Sequence, residues 1–226
     1  MPKPKSVAKV SPNLGRRKEG KPKPVSTITD AFSELRRWTT KQMKPTMKYI
    51  WLTVKHKWFV LLAGLKTKAP LWRLVIHDWS KFTPSEAPHY GRQFFGAGDD
   101  PLGFSRAWNH HQKTNPHHLE YWVMASGHER GGFPDGSALP MPEHFVREMV
   151  ADWLGACRAY EGAWPTSFES WVWWQKNFSR LNLHPETREL ALKVVTEILP
   201  ENVELMREAK PEQKGLKYPR PKGRGF

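Results

Sequence analysis

The chain has 226 residues, 38% of them hydrophobic and twelve of them Trp, which is enough apolar material for one domain with a sizeable core. Its single cysteine, Cys157, excludes an intramolecular disulfide and a cysteine-rich zinc module and fits a reducing cytoplasm, the expected location. No run of about 18 apolar residues occurs, the basic N-terminus lacks the apolar segment of a signal peptide, and no membrane partner is expected.

The formal charge of +14 is concentrated at the ends. Residues 1–24 hold eight Lys or Arg against one Glu, and residues 210–226 hold six against one. Both stretches are rich in Pro and Gly and poor in apolar side chains, so they read as disordered basic tails. Such tails can touch nucleic acid without sequence preference through counterion release; plain solubilising tails are the equal alternative. Between them, residues 25–209 read as one helical domain, all-α, with its core over 47–160.

In chain order, Ser26 to Asp30 offers capping residues for a helix over Asp30–Lys44, and Pro45 opens a second over Thr46–Leu65. Its apolar face is read as Ile50, Val54, Trp58, Leu61 and Leu62, with His56 toward the edge. A short helix from Pro70 runs into His77-Asp78. Thr83-Pro84-Ser85-Glu86 starts another toward Phe95, Gly96–Gly103 reads as a loop, and Phe104–Thr114 as a helix that Pro116 ends before a further one begins at His117. Gly127–Pro140 reads as a surface loop able to cover a pocket. A strong helix follows from Pro142-Glu143 to Ala159, then Ser167–Leu181 and Pro185–Leu199, whose Trp171, Trp173, Trp174 and Val194, Val195 suit packing. No strand-like alternation stands out.

The chemistry gathers on His77-Asp78. Adjacent imidazole and carboxylate donors suit a borderline divalent cation, and His56, His110-His111, His117-His118 and Asp152 supply further ligand types on helical segments. Neighbours on a helix point about 100° apart, so one histidine of each pair is expected to face a common centre: His111 and His118, by their matched interval. Stacking of these histidines in a core is the alternative. Asp152, set in Met149-Val150-Ala151-Asp152-Trp153-Leu154, calls for a partner, either a cation or a buried structural bond.

The order His56, His77-Asp78, His110/His111, His117/His118, Asp152 resembles the HD superfamily of metal-dependent phosphohydrolases. Lys81 matches the His-Asp-x-x-Lys form of its cyclic-dinucleotide-hydrolysing branch, whose Gly-Tyr-Pro signature is missing here. The full pattern, including Glu-Met-x-x-Asp-Trp at 148–153, is similar to an uncharacterised family of bacterial and phage proteins with an HD-like core.

The resemblance implies an HD-like helical bundle and one or two divalent ions (Mn, Fe, Co, Zn or Mg). One ion would be held by His56, His77, Asp78 and Asp152. A second would sit on the downstream histidines with Asp78 as bridge, about 4 Å from the first. Lys81 would then meet a phosphate oxygen, and Glu148 would orient a ligand or accept a proton. The implied activity is hydrolysis of a phosphorylated small molecule such as a nucleotide. The rival is a non-catalytic, nucleic-acid-associated protein on the same scaffold.

Overall fold

The computed structural model of the protein describes residues 28–124 and 136–199. The two basic tails, Ser26 and Thr27, and most of the Gly127–Pro140 loop lie outside these residues. The chain divides into two units, Met1–Arg37 and Trp38–Phe226. Of the first unit, the described part is the opening of helix α1 (Ile28–Thr67); all that follows concerns the second.

The fold is all-α. After α1 come α2 (Leu71–Ile76), α3 (Ala87–Phe95), α4 (Pro101–Thr114), α5 (Glu143–Glu161), α6 (Val172–Asn177) and α7 (Pro185–Ile198), with 3-10 turns at Trp79–Phe82, Leu119–Trp122 and Phe178–Arg180. Among the described residues there is no strand, only an isolated antiparallel bridge between Val123 and Ala138.

Pro45 does not divide α1; it sits buried inside it. A proline there removes one ladder hydrogen bond. At this point α3 crosses so closely that a Cβ on Gly91 would stand 2.6 Å from Thr46 Cα, so packing outweighs the local cost. The expected apolar face of this helix is also corrected. Val54 and Trp58 are exposed, and the buried line is Tyr49, Thr53, His56, Val60, Ala63 and Thr67, spaced four and three in turn. The helix carries two apolar stripes, and the less hydrophobic one faces the core.

The main core joins Val60 and Ala63 of α1 to Val146, Met149, Val150 and Leu154 of α5, Trp171, Trp174 and Phe178 around α6, and Ala191, Val194 and Val195 of α7. A smaller cluster stacks Tyr49 on Tyr90, ring centroids 5.0 Å apart, beside Ala87 and Ala107. The α1–α5 crossing is tight: a Cβ on Gly155 would stand 2.6 Å from Val60 Cγ2 and 2.8 Å from the Val60 amide nitrogen. One turn away on each helix lie His56 and Asp152.

The segment expected as a loop to Gly103 enters α4 earlier. Asp100 caps it, Oδ1 accepting the Gly103 N–H at 2.9 Å, and Pro101 occupies the first turn. The single helix expected over Ser167–Leu181 is instead α6 followed by a 3-10 turn.

Candidate metal centre

Each ligand-type side chain is placed by a local device. His56 belongs to the buried stripe of α1. Its neighbour Lys57 donates from Nζ to the carbonyl oxygens of Val75, at 3.1 Å, and His77, satisfying backbone acceptors left open where α2 ends. Asp78 then takes a left-handed conformation, φ 56°, and its carbonyl accepts from the Lys81 N–H at 3.0 Å. Aspartate tolerates that region better than most residues, and the sharp turn sends His77 and Asp78 inward together.

On α4 the buried line is Gly103, Ala107, His111, one residue every four, while His110 lies off it. Asn115 ends the helix: its Nδ2 donates to the His111 carbonyl at 2.8 Å and to Ser80 Oγ at 2.7 Å. The turn that follows is held by Trp122 Nε1 donating to the Pro116 carbonyl at 2.7 Å.

Two sets of donor atoms meet at Asp78. In the first, His56 Nε2 lies 2.9 Å from Asp152 Oδ1 and 3.4 Å from Asp78 Oδ2. His77 Nε2 stands 3.4 Å from Asp152 Oδ1, 3.5 Å from Asp78 Oδ2 and 3.4 Å from His56 Nε2. In the second, Asp78 Oδ1 lies 3.3 Å from His111 Nε2 and 3.4 Å from His117 Nε2, while His118 Nε2 approaches His111 Nε2 to 2.8 Å. Donors bonded at about 2.1 Å around one ion stand roughly 3.0 to 3.4 Å apart in octahedral or tetrahedral arrangements. Both sets have that spacing, and each could hold a metal ion.

The surrounding residues say which atoms face inward. Glu148 Oε1 accepts from His77 Nδ1 at 3.1 Å and lies 3.2 Å from His117 Nδ1, while Glu148 Oε2 takes a 2.7 Å bond from Arg73 Nε. An ionised carboxylate only accepts, so it assigns the proton to Nδ1 of His77 and leaves that ring's Nε2 turned toward Asp78 and Asp152. Around His111 Nδ1 stand Glu86 Oε2, Ser80 Oγ and Asn115 Nδ2, each at 3.1 Å. Asp78 Oδ1 and both ring nitrogens of His117 are buried without a hydrogen-bond partner. Lone pairs aimed at a carboxylate oxygen in a dry interior repel unless a proton or a metal cation lies between them. The residues present therefore fit a metal.

Charge reinforces the arrangement. Burial alone would raise the Asp78 carboxyl, but the charges of His77, Lys81 and His111 hold it well below the usual carboxylate range. Asp152 is likewise lowered, its hydrogen bonds to His56 and His77 outweighing burial. For His56 and His77 burial pulls downward, and the carboxylates beside them prevail, raising both. Burial, then the charges of His117 and His111, push His118 well below the ordinary histidine value. Lys81 Nζ donates to Asp78 Oδ2 at 2.6 Å; burial opposes its charge, and Asp78 keeps it protonated.

The structure thus gathers His56, His77, Asp78, His111, His118 and Asp152 at one place. The expectation that one of His117 and His118 must turn away fails. It assumed a helix, and these two residues sit in the turn after α4, where both rings face the same side with centroids 4.4 Å apart. His110 points elsewhere, to Glu86 Oε1 at 2.7 Å, with a largely open side chain. Glu148 is fully buried with both oxygens engaged, the geometry of an orienting residue and not of a proton acceptor open to substrate. Sequence reading favoured His118 over His117 and missed Glu86 and Arg73; the spacing Glu86 to His110-His111 carries no periodic signal that would have paired them.

An all-helical protein whose buried His/Asp clusters can hold metal is the class that the fold and this site define. Within it, the chain belongs to DUF5662, a family of unknown function, whose model matches residues 46–197. That span takes in every residue named in the site. No curated protein and no solved structure matches the chain.

Proposed function

We propose that this chain is an HD-type, metal-dependent phosphohydrolase acting on a nucleotide or another phosphoester. The observation that carries the proposal is the sharing of Asp78: its two oxygens face two separate sets of histidine donors, an arrangement suited to a pair of cations bridged by one carboxylate. Divalent ions held there would polarise a phosphoryl oxygen and lower the pKa of an attacking water.

The chain's own residues prepare for this. His56, His77, Asp78 and Asp152 would hold one ion, and Asp78, His111, His117 and His118 the other. Glu148 keeps a proton on His77 Nδ1, so that the Nε2 of that ring is free to bind. Arg73, itself buried, bonds the other oxygen of Glu148, whose carboxyl the neighbouring His117 and His77 rings hold well below the usual range against burial. Of these side chains Lys81, Asp152 and His118 are the most open, 13%, 15% and 16%. They mark the side from which substrate enters. Lys81 places a fixed positive charge at that mouth for a phosphate oxygen, while the buried histidines behind it exclude bulk water.

The test is elemental analysis of the purified protein, wild type beside Asp78→Ala, with phosphomonoesters and phosphodiesters assayed on the same samples. The proposal requires transition metal in the wild type, its loss in the variant, and hydrolysis that disappears with it. A wild type that stays metal-free and inactive after incubation with Mn, Fe, Co or Zn overturns it.

A further inference from the structure

The face of α1 opposite His56 is apolar and open. Met47, Trp51, Val54, Trp58, Leu62 and Leu65 repeat at intervals of three and four, and Trp51 and Trp58 are 66% and 57% exposed. Helix α2 runs along one edge of this stripe: Leu74 fills the space over Gly64, and Lys57, a quarter turn from Trp58, reaches the carbonyls of Val75 and His77. Trp72 of α2 and Trp79 of the 3-10 turn after it are also open, 58% and 51% exposed. Trp51 and Trp58 alone leave roughly 200–300 Å² in solvent, before Met47, Val54, Leu62 and Leu65 of the same stripe are added, against roughly 300–600 Å² for the whole largest patch of an ordinary monomer.

What covers this face is set by its charge. From Leu35 to His77 the sequence has ten Lys or Arg and no Asp or Glu. Lys44, Lys48, Lys55 and Lys66 are exposed along the same helix. A second copy meeting the stripe across a two-fold axis would set these lysines against their own counterparts. Tryptophan and leucine on one strip with lysines beside it is instead the composition of a helix that lies in a bilayer surface, rings at the headgroup level and ammonium groups on lipid phosphates. No described helix is long and apolar enough to cross a membrane, so the contact is with the surface. The basic residues at 1–24 and 210–226 carry the same sign.

We infer that the α1–α2 face docks on an anionic lipid bilayer, against the expectation from sequence that no membrane is involved. The test uses the full chain with vesicles of phosphatidylcholine alone or mixed with phosphatidylglycerol, at physiological ionic strength. The expected result is co-sedimentation with the anionic vesicles only, a blue shift of tryptophan emission, and quenching by lipids brominated on the acyl chain. Trp51→Glu with Trp58→Glu, both on the open face, should lower partitioning about tenfold or more with helix content unchanged by circular dichroism.

Three outcomes overturn the inference. Binding that is lost in salt and never quenched by brominated acyl chains means that charge alone attracts the protein. Equal partitioning of wild type and the double variant means that this face is not the one that docks. A wild-type dimer in sedimentation equilibrium that the double variant dissociates makes the face an interface between copies.

Discussion

Gly155→Ala tests how the centre is held together. Asp152 stands one turn before Gly155 on α5 and His56 one turn before Val60 on α1, so the crossing at Gly155 and Val60 sets the 2.9 Å separation of His56 Nε2 from Asp152 Oδ1. An alanine Cβ would lie 2.6 Å from Val60 Cγ2, which can rotate away, and 2.8 Å from the Val60 amide nitrogen, which cannot. Ordinary carbon contacts begin near 3.5 Å, so the helices must part by roughly 0.5 to 1 Å. In an open helix the same change would stabilise by about 1 kcal/mol. Here overpacking costs about 1–3 kcal/mol, so the net sign reverses. Thermal unfolding in the presence of a chelator reads the packing cost alone, a fall of roughly 2–10 °C for a chain this long. Metal equivalents retained after gel filtration read the second effect, a looser first ligand set. A Gly155→Ala protein as stable as wild type, with the same metal content, would refute the idea that this crossing positions the site.

Chelation should destabilise the wild type: an ion present at about 100 times its Kd adds about 2.7 kcal/mol, a shift of several degrees in differential scanning calorimetry, and the shift should vanish in Asp78→Ala. Glu148→Gln leaves Arg73 buried without its countercharge and frees the His77 Nδ1 proton assignment; metal affinity should drop about 10- to 100-fold in a competition titration with a chromogenic chelator. His111→Ala should lose metal while His110→Ala keeps its stoichiometry, which elemental analysis of the pair decides. Asp100→Ala removes the α4 cap and should cost about 1 kcal/mol near neutrality. The Asp100 carboxyl is lowered by its hydrogen bonds to His89 and the Gly103 amide. Its advantage over alanine is therefore present above the ordinary carboxylate value and shrinks as pH falls through the lowered one, as urea melts across the acid range will read.

Ligand types are visible in a sequence because few other roles call for so many His and Asp in helical segments; their partners are not. His56, His77, Asp78 and Asp152 could be picked out by chemistry alone, and the all-α class by helical periodicity. The rule that neighbouring helix residues diverge favoured His118 over His117 because the segment from His117 read as a helix, where the structure has a turn leading to the 3-10 turn at Leu119–Trp122. Glu86 and Arg73 look like surface charges in the sequence, and only the fold shows that each is buried against a side chain far along the chain. Likewise the more hydrophobic stripe of α1 was the natural choice for the core. Burial instead went to the stripe with Tyr49, Thr53, His56 and Val60, where Tyr90 of α3 stacks on Tyr49 and Gly155 lets α5 approach Val60 closely.

The charges buried around the centre do not balance by themselves. Asp78, Asp152, Glu148 and Glu86 contribute four negative charges, and Lys81 and Arg73 return two. In the protein alone the deficit falls on the histidines, and this is why His56, His77 and His117 are pushed upward although burial and, for His117, the His77 charge oppose it. One divalent cation replaces those protons and cancels the remaining charge. A second leaves the centre positive by about two, and the open side at Lys81 and His118 is where a phosphate dianion would restore neutrality. On the proposed reading, then, the second histidine set does more than add an ion: it makes the pocket complementary to the substrate's charge. Loss of His111 should accordingly weaken inhibition by inorganic phosphate more than the loss of His110 does. Equal inhibition constants for the two variants would mean that phosphate is drawn by Lys81 alone.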